Sequence, residues 1–479
     1  MQLVERLLTY SIWAYLAYIF LFSFLIFLFH PLKNQKGESF SPTEDSNLLQ
    51  NQDRVALIES KEDAISVRLD LIEHAESQID LAYYRWSEGK VSDLMLGSLL
   101  EAADRGVEVR ILLDGLVQIT NTGQPINEVF KAFKTHPNID LRVYEAFNPL
   151  LPIAWNHRMH DKMILVDQKL ALTGGRNIQD RFYLDDLDQK DLVKDREVLV
   201  YHADATGSTA ITDMAHYYNQ LWDYDYTQEK DSTLSFKENE KAKASLMSLR
   251  ESHPNNKKKF LAEYFPDLEN KDWVAETVPT NHVSFVSNNF GRLNQNPRAL
   301  QTILTLAEET EESIFIQSPY FIPSRRMLNE VNDFQIDPAQ TTLFTNSEAA
   351  SPNLAAIAAY HLRRPKLIES GARIVEYQGP GSSHAKSSIF DERISVVGTF
   401  NIDPRSAYLN TESMVIIDSE DFAEELKGAI AEDFEHSLVV DSDGDYLPDP
   451  EQEPARISFT KKMMIRLLSL LTPFFEHLL

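Results

Sequence analysis

Two stretches of this chain are written on one plan. NHRMHDKMILVDQKLALTGGRN occupies residues 156–177, and SSHAKSSIFDERISVVGTFNIDPRS occupies residues 382–406. His160 and His384, Lys162 and Lys386, Asp167 and Asp391, Gly174 and Gly398, and Asn177 and Asn401 are each 224 positions apart. Five chemically distinct residues at one constant offset mark an internal duplication, so the chain must fold as two related lobes.

The flanking patterns repeat as well. SQIDLAYY reads as a strand, VSDLMLGSLLEAADRG as a helix closed by Gly106, and VEVRILLDG as a strand. SIFIQSPYFIP, PNLAAIAAYHLRRPKLIESG and ARIVEYQG give the same order later, with Pro365 expected to break or kink the second helix. Such β-α-β units predict an α/β fold in which each lobe is a mixed sheet flanked by helices, the lobes related by a pseudo-twofold axis. The expected divisions are an N-terminal anchor at 1–32, a polar tether at 33–53, a first lobe at 54–225, a Lys/Glu/Asn-rich helical insert at 226–284, a second lobe at 285–440 and a tail at 441–479. The acidic DSDGDYLPDPEQE in the tail has the look of a calcium loop, but one short match reads better as a solvated turn.

In an extended segment His160 and Lys162 share a face, as do His384 and Lys386. In each copy two apolar runs form a hairpin that returns Asn177, or Asn401, beside its own His and Lys. Two imidazoles, two ammoniums and two amides around one point suit a phosphodiester. One imidazole attacks phosphorus, the other shuttles the proton, and the cations and amides hold the equatorial oxygens. Asp195 in KDREVLV and Glu412 in TESMVII each precede a Val by three residues, at an offset of 217. A carboxylate so placed could sit behind an imidazole and fix its tautomer. Asp167 and Asp391, five residues past each Lys, fall on the opposite strand face and read as structural acids, buried or salt-bridged. A metal site built from His157, His160, His384 and the acids is disfavoured, because two lysines would repel a divalent cation.

The two ends point to a membrane. Leu7–Phe29 carries no charge, is long enough to cross a bilayer, and lacks a small-x-small cleavage site after it. Arg456, Lys461, Lys462 and Arg466 lead into a C-terminal run of Leu and Phe that suits a helix lying in the headgroup layer or docked on the body. The formal charge of −27 argues against nucleic acid as a partner and requires that any anionic substrate be held by a local basic pocket. There is no cysteine, which excludes disulfides and thiolate metal sites.

HDKMILVD with GGRN, and HAKSSIFD with GTFN, resemble the paired HKD motifs of the phospholipase D superfamily. FNP at 147–149, SPYFIP, GTFNIDPRSAYLNTE and the basic, Leu-rich end are similar to its bacterial cardiolipin synthase branch. The resemblance spans residues 55–440. It implies one active site at the lobe interface, working without metal or other cofactor, with His160, Lys162, Asn177, His384, Lys386 and Asn401 catalytic and Asp195 and Glu412 in support. It departs at Ala385, between His and Lys, and at Thr399, where Ser is common; Thr399, Arg158 and Arg405 lie near enough to the motifs to bind substrate, and for the two arginines a solvated or structural salt-bridge role is the equal alternative. The expected reaction is phosphatidyl transfer from phosphatidylglycerol or phosphatidylethanolamine to a phosphatidylglycerol hydroxyl, with His160 as nucleophile and His384 as acid. Hydrolysis by a phospholipase D or a nuclease-type phosphodiesterase, and a lipid-binding scaffold, are the alternatives. The expected location is a bacterial inner membrane, single-pass, with the body leaning to the extracytoplasmic side.

Overall fold

The computed structural model describes residues 2–29, 53–121, 124–203, 209–229, 235–269, 271–293, 296–332 and 334–479; the 33–53 tether lies, apart from Asp53, outside them. Among these residues the first lobe carries a nine-stranded sheet in the order Val278–Pro279, Arg54–Ile58, Glu197–Tyr201, Leu170–Gly174, Lys162–Val166, Gln78–Tyr83, Glu108–Asp114, Ile139–Tyr144, Thr227–Glu229. The second carries eight strands in the order His282–Ser287, Ser413–Asp418, Ile394–Gly398, Ser387–Phe390, Ile314–Gln317, Thr341–Asn346, Arg373–Tyr377, Ser437–Val439. Leaving aside Val278–Pro279, the two sheets correspond strand for strand. In both, three central strands run parallel and the rest pair antiparallel. The duplication read at five positions extends to the whole topology.

Alternation explains how the lobes join. Val55, Met163, Leu165 and Val198 from the first sheet share one buried cluster with Val283, Ile389, Val415 and Ile417 from the second, so the inner sheet faces make a common core. Helices cover the outer faces; Lys90–Asp104 presents Leu94, Met95 and Leu99 to the first lobe's own cluster.

Two details of these elements differ from the sequence reading, and the acidic tail agrees with it. The 226–284 insert is narrower than expected, because Thr227–Glu229 and Val278–Pro279 both pair in the first sheet. Its charged part is one helix, Phe236–Tyr264, capped by Ser235 and Glu238. Pro365 sits inside a continuous helix, Leu354–Glu369. Asp441 folds back on its own turn, accepting from the Asp443 and Asp445 amides at 2.9 Å each, as a solvated turn does.

Asp167 and Asp391 are structural, but neither is fully buried or salt-bridged. Each opens a tight hairpin turn with two consecutive left-handed residues, Asp167 and Gln168 (φ 52° and 56°) and Asp391 and Glu392 (φ 50° and 54°). Each carboxylate then accepts three backbone amides at the start of a neighbouring strand, those of residues 76–78 and 311–313. Those bonds hold both carboxyls below the usual carboxylate range against the opposing effect of partial burial. They lock the motif hairpins in register.

Candidate active site

Each motif histidine lies just before the first strand of its hairpin and is stitched to the opposite lobe. The His160 amide donates to the Thr411 carbonyl and hydroxyl, at 3.3 and 3.1 Å, and Thr411 N returns a bond to Arg158 O. The His384 amide donates to Lys194 O at 2.7 Å, where Ser382–Ser383 pairs with Val193–Lys194. In both cases the next residue on the borrowed strand is the acid. His160 Nδ1 therefore meets Glu412 Oε1 and Oε2 at 2.9 and 3.0 Å, and His384 Nδ1 meets Asp195 Oδ2 at 2.6 Å. The supports are crossed. With Nδ1 donating to the carboxylate, Nε2 is left with its lone pair for the substrate.

The two acids are held differently. Gly175 makes room for Asp195: a Cβ there would stand 2.0 Å from Asp195 Oδ1. At the matching position of the second copy, Thr399 donates its hydroxyl to Glu412 Oε2 at 2.5 Å, and Asn410 reaches Oε1 at 3.4 Å. Thr399 is buried and is not among the residues lining the cavity, so the structure places it as a positioning residue for Glu412, not against substrate.

His160, His384, Asn177 and Asn401 line one cavity of ≈ 520 Å³ between the lobes. Asn177 Oδ1 accepts from the Arg85 amide at 3.2 Å, and Asn401 Nδ2 donates to Ser406 Oγ at 3.3 Å. Lys162 and Lys386 are buried directly behind, each ammonium folded onto the carbonyl of its own motif histidine, with Lys386 Nζ also 2.9 Å from His384 Nδ1. The sequence-expected residues are thus brought together, except Arg158. That guanidinium is buried against Asp114 at 3.2 Å and the Ala154 carbonyl at 2.5 Å, where it tethers the strand that carries His160. Arg405 does line the cavity, although its Nε is engaged by Leu478 O at 2.8 Å.

Several lining residues went unread in the sequence. Tyr84 packs edge-on to the His160 ring at 4.8 Å and Phe182 to the His384 ring at 5.5 Å, a matched pair of aromatic walls. Arg85 and Arg181 face the same space. The dipeptide Tyr84-Arg85 directly after a strand, and Arg181-Phe182 a few residues past GGRN, were the available signals.

The electrostatics suit an anion. Burial, reinforced by the lysine charges, holds both imidazoles well below their usual 6.5, so both are neutral at rest. Burial brings Lys162 down to about 7 and Lys386 to about 8, and pushes Glu412 and Asp403 up to about 7 each. Asp195 is also raised by burial. Introducing a phosphodiester anion would draw protons onto these bases. A neutral nucleophile is available before substrate arrives, and an imidazolium is favoured once it has.

An imidazole and an amide from each of two lobes at one cavity, with an ammonium from each lobe directly behind, define a phosphodiester-transferring enzyme of the phospholipase D type. The family described as "Cardiolipin synthase, PLD-like domain" matches residues 69–222 and 303–435, one segment in each lobe, and the chain belongs to it. It is 27% identical over 462 residues to cardiolipin synthase C of Escherichia coli (strain K12), covering 86% of this chain and 94% of that one. An uncharacterized protein of Helicobacter pylori (strain ATCC 700392 / 26695) is 27% identical over 81% of each chain. Among solved structures, the phosphatidylserine synthase of Haemophilus influenzae Rd KW20 superposes with a TM-score of 0.62 at 16% identity, over 92% of this chain and 100% of that one, which supports the fold. The chain is a phospholipase D-type phosphatidyltransferase acting on phospholipids.

Proposed function

We propose that the protein is a membrane-anchored cardiolipin synthase. His160 Nε2 attacks the phosphorus of phosphatidylglycerol, the bond from phosphorus to the headgroup glycerol oxygen breaks, and protonated His384 gives that oxygen its proton. His384, now neutral, takes the hydroxyl proton of a second phosphatidylglycerol; the new oxygen–phosphorus bond forms as the nitrogen–phosphorus bond breaks. Lys162, Lys386, Asn177 and Asn401 stabilise the equatorial oxygens through both displacements. Phosphatidylethanolamine would serve as donor by the same steps, releasing ethanolamine. The observation that carries this reading is the crossed pair of His–carboxylate contacts on one cavity, 3.0 and 2.6 Å long. The Val4–Leu28 helix, charged only at Glu5 and Arg6 and with mean hydropathy 2.1 over an 18-residue stretch, supports a single-pass anchor in a bacterial inner membrane. The acidic, cysteine-free body supports an extracytoplasmic placement.

Purified protein in phosphatidylglycerol vesicles, with and without phosphatidylethanolamine, tests it by product analysis. Cardiolipin is the expected product. Phosphatidic acid would make the enzyme a hydrolase, and no turnover would make it a scaffold. Because two lysines occupy the place of a Lewis acid, EDTA is expected to leave the rate unchanged; loss restored by a divalent metal would overturn the mechanism. Protease accessibility in spheroplasts checks the side of the membrane.

A further inference from the structure

The body does not hang from its anchor. Tyr15 Oη donates to Pro149 O at 2.7 Å, Tyr18 Oη to Leu150 O at 2.8 Å, and Asn156 Nδ2 to Ser23 O at 2.7 Å. Further along the same helix Phe24 meets the His477 ring at 5.1 Å and Phe27 meets His157 at 5.6 Å. Contacts therefore run from residue 15 to residue 27, about 18 Å of helix at 1.5 Å per residue. Among the described residues, Val4–Ala14 shows no bond or ring contact to the body; that is about 16 Å, half the hydrocarbon core of about 30 Å. If the Val4–Leu28 helix crosses the bilayer, the part of the body it touches must lie within the membrane.

That part is built for a dry environment. From Ala146 to His157 the sequence AFNPLLPIAWNH contains no Asp, Glu, Lys or Arg, in a chain that is 25% charged. Leu150 is 71% exposed and Phe147 40%. Four successive backbone acceptors at its tip, those of residues 148–151, are satisfied without water. Asn148 O takes Leu151 N and Trp155 Nε1, Leu151 O takes Ala154 N, and Pro149 O and Leu150 O take the two helix tyrosines. Irregular backbone survives at membrane depth only when its polar groups are paired in this way. The terminal helix Phe459–Phe475 continues the surface. It buries Ile465, Ser469 and Thr472 and leaves Met463, Leu467, Leu470 and Phe474 exposed, at helical spacing, with Lys462 and Arg466 beside them. The chain then turns so that Leu478 and Leu479 line the catalytic cavity next to Ile322.

We infer that the catalytic body is sunk into one leaflet, with the 146–157 loop and the exposed face of the terminal helix embedded in lipid and the cavity rim below the headgroup plane. Phospholipid then enters sideways, past Leu478 and Leu479, and its acyl chains stay in the leaflet during transfer. This rests on the membrane-anchored reading above.

The absence of cysteine makes the test direct. Single variants Leu150→Cys, Leu470→Cys, Leu16→Cys and Lys190→Cys of the full chain, spin-labelled and reconstituted in phosphatidylglycerol–phosphatidylethanolamine vesicles, are probed with oxygen and with a water-soluble nickel chelate. Labels at 150 and 470 are expected to relax with oxygen as the label at 16 does, while the label at 190 responds to nickel. Nickel access at 150 and 470 with oxygen access at 16 would overturn the inference and leave a spanning helix with the body above the bilayer. Nickel access at 16 as well would remove the anchor reading, and the inference with it.

Discussion

The two lobes share a strand order, a hairpin turn and a His-x-Lys face, yet their half-sites are not copies in use. His160 has a whole carboxylate to itself, Glu412, braced by Thr399 and Asn410. His384 shares its Nδ1 surroundings between Asp195 and the Lys386 ammonium. Where the first copy has Gly175 so that an acid can approach, the second has a hydroxyl that grips one. After it, Arg176 is buried beside Glu197 in the first copy, while Phe400 enters the second lobe's apolar cluster. Duplication preserved the groups that touch phosphorus and let the groups behind them diverge, which is how symmetric motifs can hold asymmetric roles.

That asymmetry is open to direct attack. The largest effects come from the imidazoles: His160→Ala and His384→Ala should each cut turnover by about 10⁴-fold or more. They part company on a phosphatidyl p-nitrophenyl ester, whose leaving group needs no proton. A burst of nitrophenolate should survive His384→Ala and Asp195→Asn and vanish in His160→Ala and Glu412→Gln; the reverse pattern would exchange the two roles. Removing one lysine, Lys162→Ala or Lys386→Ala, should cost about 10²–10³-fold in kcat by loss of transition-state charge stabilisation. Gly175→Ala pushes a methyl against Asp195 and displaces the His384 support, costing about 10²-fold. Thr399→Val removes the hydroxyl that holds Glu412 Oε2 and loosens the carboxylate behind His160, costing about tenfold. Equal effects at 175 and 399 would deny the difference between the halves.

The smallest effect is a shift in pH dependence. Burial lowers Lys162 to about 7 and Lys386 to about 8, so each loses its charge, and its hold on the phosphate oxygens, as pH rises through those values. kcat/KM, which reports the free enzyme, should fall on the alkaline side starting near 7. The residual activity of Lys162→Ala should keep its plateau about one unit higher, to near 8, whereas that of Lys386→Ala should fall earlier than this, tempered by loss of the Lys386 charge that helps to lower Lys162.

Much of this was legible in the chain. The constant offset announced two lobes and placed both histidines, both lysines and both asparagines, because residues close in sequence on a hairpin stay close in space. Asp195 and Glu412 were visible as a second, imperfect repeat, but nothing local shows that each serves the other lobe's histidine; that follows from strand pairing between residues some 190 to 250 positions apart. Thr399 was expected as a substrate ligand, and Arg158 as either a substrate ligand or a structural salt bridge, because they neighbour the motifs. The structure turns both toward buried acids, Asp114 and Glu412, a choice set by burial, which sequence proximity does not reveal. The Asp167 and Asp391 carboxylates were expected on the strand face opposite the lysines; they lie instead in the hairpin turns past the strand ends, and their partners are backbone amides at the starts of other strands.

The crossed supports carry an evolutionary corollary. A half-length ancestor with a single motif would have presented an imidazole lacking its carboxylate, and would have worked only when a second copy docked through the same face to supply one. Joining two such genes made that encounter intramolecular, replacing dependence on subunit concentration with a tethered effective molarity. Only after fusion could Gly175 and Thr399 drift apart, since in a homodimer every substitution is imposed on both halves.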